Sequence, residues 1–536
     1  MLDEYSWWKH GVIYQIYPRS FKDSNGDGVG DLQGITAKIE YLSSLGIDAI
    51  WLSPINPSPD VDFGYDVSDY CAVDPKFGTM DDFNHLLDTA HQYGIHIILD
   101  LVLNHTSDQH PWFIDSKKSC DNPYHDWFLW RDGKEGGPPN NWRSWFGGKG
   151  WEYAPERQQY YFHMFYRQQP DLNWRNNQVR GAMLDVFDFW LQKGVDGFRL
   201  DVFNTYFKHI DMPDHPRKLG LRGFDRQKHL YDFDQPEMYP LIEEIRSLTD
   251  HYSERYLVGE TFLSSPEKTA TYSSDELLHA AFNFNFLNSK WDAQRFKAQI
   301  KVWDGIMGNN KWPTWVLNNH DNPRSASRYK DNDGDKKLKA AAVILLTLRG
   351  TPFLYYGEEI GMRDIPVRYS QIKDPIGRRY WPIFKGRDGC RSPMQWNAEP
   401  HAGFSNSTPW LPVNKNFHSR SVAFQLDDPN SLINVYKTLL RMRKQHTCLH
   451  AGEFELIENA NKKVLVYSRS AIDENALIVV NFSSFHQIIK TQHNQTISSG
   501  QFAFSTYGTP RQGVNEGLIR LAPYEAQIYI VPAHSQ

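Results

Sequence analysis

Phe187 to Asn204 read FDFWLQKGVDGFRLDVFN. Apolar residues at Phe187, Trp190 and Leu191 recur at helical spacing, and Gly194 stands where such a helix would stop. Val195 to Val202 then read as a short buried strand. Arg199 and Asp201 are two residues apart, so on a strand they point to the same side. Burying either charge alone is expensive. The pair is either a structural ion pair or a carboxylate held ionised by its arginine neighbour so that it can act as a nucleophile. The two readings are separated by the rest of the chain.

Outward from this stretch, helix and strand alternate. Upstream, VIYQIYP (12–18), AIWLSP (49–54) and HIILDLVLNH (96–105) read as strands, with helices expected over Ile35–Leu45 and Met80–Tyr93. Downstream, YLVGE (256–260), AFNFNF (281–286), TWVLNNHD (314–321) and TPFLYYGEE (351–359) follow. With the strand of the opening stretch this makes an eightfold strand–helix repeat. That pattern predicts an α/β fold, a closed (β/α)8 TIM barrel whose polar strand ends line one active face.

Two regions break the rhythm. Thr106 to about Leu172 is rich in Trp, Pro, Gly, Asn and Tyr, too long for a connection and too aromatic for a disordered linker. After a last helix, Ser431 to Lys444, the segments FELIE, KVLVYSR, ALIVVNF, IIKTQ and AQIYIVP read as short strands at hairpin spacing. The expected organisation is a barrel from 1–104 and 174–453, an inserted loop-rich subdomain at 105–173 after the third strand, and a C-terminal antiparallel β-sandwich at 454–536.

Composition narrows the function. Lys plus Arg number 58 against 64 Asp plus Glu, a formal charge of −6, so the basic surplus of a nucleic-acid binder is missing. Aromatics make up 14% of the residues, which suits stacking on sugar rings as well as a large core. MLDEYSWWKHG carries acidic residues where a signal peptide needs positive charge. The longest apolar run, Ala340 to Leu348, is about half a membrane span and reads as a core helix. The four cysteines (71, 120, 390, 448) show no metal spacing. A cytoplasmic protein, off the membrane and either monomeric or a weak homodimer, is expected.

Asp23 to Asp31 read DSNGDGVGD. Oxygen ligands at Asp23, Asn25 and Asp27, a Gly at 28, the backbone carbonyl of Val29 and a further Asp31 reproduce the first part of a calcium loop. Gly34 stands where a complete helix–loop–helix site would have Glu, so the site predicts a structural ion, Ca2+ with Mg2+ possible, and no organic cofactor. Around the barrel, Asp66, Asp100, His105, Arg199, Asp201, Glu260, His320 and Asp321 fall at or just past strand C-termini. Isolated carboxylates on different strands beside aromatics suit a sugar cation.

GFRLD (197–201), VGE (258–260) and NNHD (318–321), in order with DLVLNH (100–105), resemble the four signature segments of the α-amylase-type glycoside hydrolases (family 13). QPDLNW (169–174) and GRDGCRSPMQW (386–396) resemble that family's oligo-1,6-glucosidase and α-glucosidase branch. The likeness runs nearly end to end and takes in GVIYQIYP, GTPFLYYGEEIG (350–361) and the metal loop.

The resemblance implies a retaining, exo-acting α-glucosidase that takes small oligosaccharides from the non-reducing end. Asp201 would be the nucleophile, Glu260 the general acid/base and Asp321 the transition-state stabiliser. Arg199 would orient Asp201. His105 and His320 would bond sugar hydroxyls, Tyr65 would stack beneath the ring, and Asp66 and Arg391 would grip the 4-hydroxyl; Phe146 joins the substrate-binding set. Val202, after the nucleophile, resembles the α-1,6-cleaving enzymes, whereas Thr or Ala accompanies α-1,4 cleavage. Isomaltose-type linkages are therefore expected, with possible transglucosylation, an α-1,4-glucosidase as the alternative and a sucrose isomerase or transglucosylase as a further one. The charged Arg/Asp loop associated with sucrose isomerases is not evident in NPRSASRYKD (322–331). The transporter heavy chains that resemble this family carry a membrane span and lack the intact carboxylates.

Overall fold

The computed structural model describes residues 5–330, 334–490, 502–508 and 518–532. Eight parallel strands form one sheet: Ile13–Ile16, Ala49–Leu52, His96–Leu101, Gly197–Leu200, Tyr256–Gly259, Ala280–Ala281, Thr314–Val316 and Thr351–Tyr355. They pair in chain order from the first to the sixth and from the seventh to the eighth, and the first strand also pairs with the eighth, Ile13 opposite both Ala49 and Phe353. Between the sixth and seventh strands, Thr314 Oγ1 donates to the Ala281 carbonyl at 2.9 Å. The expected TIM barrel is the fold.

The lumen follows the two-residue period of each strand. Ile13, Trp51, Ile98, Tyr256, Val258, Val316 and Phe353 pack into one interior cluster. Continuing the same parity towards the C-terminal ends brings Gln15, Asp100, Arg199, Asp201 and Glu260 inward. The polar rim is therefore the next layer of the same pattern that builds the apolar core. Gly197 has a packing reason: a Cβ there would stand 2.4 Å from the Tyr256 carbonyl oxygen of the neighbouring strand.

Two expected elements differ. AFNFNF (281–286) gives only Ala281 to the strand Ala280–Ala281 and then turns into the helix Phe284–Leu287, because the Asn283 side chain accepts from the Asn285 N–H and caps a helix start. The helix expected over 35–45 is two, Leu32–Thr36 and Ile39–Leu45, parted at Lys38, whose backbone leaves helical angles. The apolar run Ala340–Leu346 is the buried middle of helix Lys336–Thr347. Among the described residues no helix is long and apolar enough to cross a membrane.

The region after the third strand holds a small antiparallel sheet, Trp130–Arg131, Trp151–Ala154 and Gln159–Phe162. Its aromatic cluster includes Trp142, Phe146, Trp151, Phe162 and Phe165, and it draws in Val202 from the barrel rim. At the C-terminal end a five-stranded and a two-stranded antiparallel sheet share a core of Val464, Val466, Val479, Ile489, Ile519 and Leu521. Strands Phe502–Ser505 and Leu518–Leu521 were not among the expected ones, and the end of IIKTQ lies outside the described residues. Arg469 fastens this unit to the barrel by donating to the carbonyls of Thr347, Leu449 and Gly452.

Candidate active site

A cavity of about 1060 Å³ opens at the C-terminal end of the barrel. Asp201, Glu260, Asp321, His105, His320, Tyr65, Phe146 and Val202 all line it. Arg199 lies at its floor. One guanidinium nitrogen, Nη1, donates to Asp100 Oδ1 and to Asp201 Oδ1, both at 2.6 Å, and the other, Nη2, is paired with Glu260. Its Cζ lies 5.1 Å from the centroid of the Trp51 ring and 5.9 Å from that of Tyr65. Arg199 is 1% exposed, so three carboxylates from three adjacent strands converge on one desolvated cation.

Burial pushes Asp201 up to about 6, with Arg199 opposing and the Asp100 charge adding to the rise. Asp321 goes the other way. Burial would raise it, but His320, Arg387, Arg391 and Arg199 hold it well below the usual carboxylate range. Burial drives His320 down to about 3, so the imidazole is neutral near pH 7. The Gln15 amide donates to its Nδ1 at 2.8 Å, which leaves the proton on Nε2, 3.2 Å from Asp321 Oδ2. The Tyr65 ring stacks on His320 with centroids 5.2 Å apart, and its hydroxyl donates to Asp100 at 3.0 Å. His105 is also pushed down by burial, and its Nε2 lies 2.9 Å from the Tyr65 carbonyl.

Asp66 and Arg391 stand behind the cavity wall instead of in it. The Asp66 carboxylate is fully enclosed and accepts from the Ser58 hydroxyl and the N–H groups of Val61 and Asp62. It shapes the loop after the second strand. Arg391 is equally buried, donates to the His320 carbonyl at 2.8 Å and pairs with Asp321 Oδ1 at 2.8 Å. The groups in the wall are Asp62 and Arg387, each four residues upstream of the expected one. Arg387 pairs with Asp62 at 2.6 Å, Asp374 at 3.0 Å and Asp321 at 3.4 Å, and lies 5.3 Å above the Phe146 ring. It ties the loop after the second strand to the loop after the eighth across the cavity.

Sequence reasoning also passed over Gln15, Trp145 and Arg222. Arg222 lies 4.3 Å over the Trp145 ring and pairs with Asp225 at 2.8 Å, all three in the cavity wall. Gln15 had a usable signal, since it shares the parity of Ile13. The other two stand on long loops without a period.

In the Asp23–Asp31 loop, Asp23 accepts from the N–H groups of Gly26 and Gly28, Asp27 from that of Val29, and Asp31 from those of Ser24 and Gly34. Among the described residues no lysine or arginine pairs with these three carboxylates. Asp23 Oδ1 and both Asp27 oxygens accept one hydrogen bond each and keep a further lone pair, whereas Asp23 Oδ2 and both Asp31 oxygens already accept two. The donor set is all oxygen, so the residues fit a hard divalent cation.

Residues 15–452 match the family model for the alpha amylase catalytic domain. An oligo-1,6-glucosidase of Parageobacillus thermoglucosidasius is 39% identical over 559 residues, covering 98% of each chain. The crystal structure of the alpha-glucosyl transfer enzyme XgtA superposes with a TM-score of 0.92 at 39% identity, over 98% of this chain and 100% of that one. The trehalulose synthase MutB from Pseudomonas mesoacidophila MX-45 gives 0.89 at 34%, over 98% and 100%. With its barrel, its carboxylate rim and these full-length likenesses, the chain belongs to the α-amylase family of glycoside hydrolases.

Proposed function

We propose that this protein is a retaining exo-α-glucosidase that removes glucose from the non-reducing end of short isomaltose-type α-1,6-glucosides. The observation that carries the reading is the shared guanidinium. Asp201 and Glu260 are both held against Arg199. That grip fits the spacing of about 5–5.5 Å of a nucleophile and acid/base pair better than the about 6.5–9.5 Å that leaves room for an intervening water. Asp201 attacks the anomeric carbon as the glycosidic C–O bond breaks and Glu260 gives its proton to the leaving oxygen. Glu260 then takes a proton from water, whose oxygen displaces Asp201 and releases glucose with its configuration retained. Asp321, kept ionised by its cationic neighbours, faces the positive charge that develops on the ring.

Asp62 and Arg387, bridging two loops across the cavity, take the place expected of Asp66 and Arg391 and limit the site to a terminal sugar. The aromatic wall of Trp145, Phe165 and Phe262 lines the same cavity, and stacking surfaces of that kind also suit a sugar hydroxyl as acceptor. Transfer of glucose to such an acceptor is the second reading. Residues 105–173 act as an inserted unit over the cavity, and the Asp23 loop binds Ca2+ through Asp23, Asn25, Asp27, the Val29 carbonyl and Asp31 in a structural role.

On isomaltose and maltose, wild type is expected to show the higher kcat/KM on isomaltose. Val202→Thr, which keeps the β-branch, should shift that ratio by about 10-fold or more, the worth of a methyl-sized change beside a scissile bond. Asp201→Ala should lose about 10⁴-fold or more. A wild-type preference for maltose overturns the linkage, isomerised products from sucrose favour the isomerase reading, and an active Asp201→Ala removes the mechanism.

Because Asp201 must be ionised to attack, its raised pKa means that activity is lost as pH falls through about 6. The acid limb of kcat/KM is expected there; a limb at the ordinary Asp value of about 3.9 would refute the assignment.

Arg387→Ala should raise KM for isomaltose by 10-fold or more, in line with about 1.5–3 kcal/mol for charged hydrogen bonds. Arg391→Ala should instead lower Tm and kcat through the loss of Asp321's partner. The reverse pattern would restore Arg391 as the substrate-gripping residue.

Stripping calcium with EGTA is expected to lower Tm by several degrees, reversed by added Ca2+ and absent in Asp27→Ala. Identical melting curves with and without the chelator would dismiss the ion.

A further inference from the structure

Between the fourth strand and helix Met238–Asp250 the chain makes an excursion over the cavity. Arg217 and Gln227 bridge antiparallel, so the excursion is a hairpin, and its tip residues Leu221, Arg222, Gly223 and Asp225 line the cavity. His215 lies on the incoming stem, His229 and Asp232 on the outgoing one. One ligand atom from each of the three falls within 4.8 Å of the others.

Hydrogen bonding alone leaves this cluster unsatisfied. His215 and Asp232 are each 2% exposed. Neither ring nitrogen of His215 has a hydrogen-bond partner, nor does Asp232 Oδ1. His215 Nε2 approaches Asp232 Oδ2 at 3.3 Å without hydrogen-bond alignment. A buried polar side chain in that condition is costly and asks for an unseen partner. His229 adds a second indication. Its Nε2 faces the Phe224 carbonyl at 3.0 Å, an oxygen that can only accept, so that nitrogen carries a proton. In a neutral ring the other nitrogen, Nδ1, then presents a lone pair to Asp232 Oδ2 at 2.7 Å. That contact needs a cation between the two atoms, either a proton on Nδ1 or a metal ion, and the unpartnered His215 ring and Asp232 Oδ1 beside it favour the metal. An imidazole anchored through one N–H to a backbone carbonyl is also the usual orientation of a metal-ligating histidine.

The rings are held in place. His215 stacks between Trp142, with centroids 4.8 Å apart, and Tyr231, 5.6 Å apart, and His229 stacks on Phe224 at 3.7 Å. Ligands on a tetrahedral zinc lie about 3.3 Å apart, given bonds of about 2.0–2.1 Å. The His215–Asp232 separation already matches, and the His229–Asp232 pair would open by about half an ångström. Two imidazoles and a carboxylate favour zinc over the oxygen-seeking calcium of the Asp23 loop.

We propose that His215, His229 and Asp232 form a binding site for a tetrahedral divalent ion of the zinc class, with water as the fourth ligand, which fastens the two stems of the hairpin whose tip forms part of the cavity wall. The ion is structural, and the catalytic carboxylates do not depend on it for their chemistry.

Full-length protein stripped with a strong chelator, incubated with micromolar Zn2+ and dialysed is expected to retain one equivalent of zinc per chain by elemental mass spectrometry. Co2+ in its place should give the intense visible absorption of a tetrahedral nitrogen/oxygen site, which an all-oxygen site at the Asp23 loop would not. His229→Gln and Asp232→Asn should each weaken zinc binding by about 100-fold or more. Amide exchange across 215–232 should slow on adding zinc to wild type only. Less than half an equivalent on wild type overturns the proposal, as does full zinc affinity in both variants. The wild-type stoichiometry and cobalt spectrum decide the matter even if a variant fails to fold.

Discussion

The site depends on one desolvated guanidinium. Arg199 sits at the floor of the lumen with three carboxylates, Asp100, Asp201 and Glu260, from three adjacent strands. Leaving any one ion unpaired at that depth would cost several kcal/mol, so each strand end is held to the register that lets its carboxylate reach Arg199. Asp100 faces Arg199 and Arg199 faces Val258 in the parallel pairing, which puts the three carboxylates within reach of one fork. The same contacts that stabilise the buried cation fix the relative positions of Asp201 and Glu260.

Arg199 does not neutralise the cavity. Without Glu260, which carries the proton it donates, Asp62, Asp100, Asp201, Asp321 and Asp374 meet only Arg199, Arg387 and Arg391, and the two histidines that face the cavity are driven towards their neutral forms by burial. The net field is therefore negative in a low-dielectric site, where it is strongest. A neutral sugar gains little from such a field, but a transition state with oxocarbenium character gains much. The interaction grows as the bond breaks, which is the condition for lowering a barrier instead of merely binding substrate. Protonated histidines beside Asp321 would oppose that field, so the burial that keeps His320 neutral serves the same end.

Much of this was legible in the sequence because strand parity is a local property. Ile98–Asp100, Gly197–Arg199–Asp201 and Val258–Glu260 announce the lumen and its polar rim by spacing alone. The misses are of another kind. Asp62 and Asp66 flank one tight loop, and Arg387 and Arg391 one motif; which member faces the cavity depends on the Ser58 hydroxyl and Val61 N–H that donate to Asp66 and on the His320 carbonyl that accepts from Arg391. AFNFNF has the alternation of a strand, but Asn283 caps a helix and cuts it short. The hairpin of residues 215–229 is irregular throughout, so no period could have announced that His215, His229 and Asp232 meet.

Val202 shows how a local rule is broken at the cavity wall. Parity along the fourth strand would point it out of the lumen, opposite to Arg199 and Asp201. Instead its backbone is left-handed, with φ 36° and ψ 38°, an uncommon state for a β-branched residue that costs on the order of 1–3 kcal/mol. That turn directs its side chain into the cavity wall and the aromatic cluster of Phe146, Trp142 and Phe165. Its carbonyl accepts from both the Thr205 N–H, at 2.9 Å, and the Thr205 hydroxyl, at 2.7 Å, and these bonds together with the apolar packing offset the strain. The region after the third strand is thus part of what holds the residue beside Asp201. On the proposed reading, a change at position 202 acts through two couplings, the shape offered to the leaving sugar and the packing that keeps the turn. A β-branched replacement such as Thr probes the first while disturbing the second least.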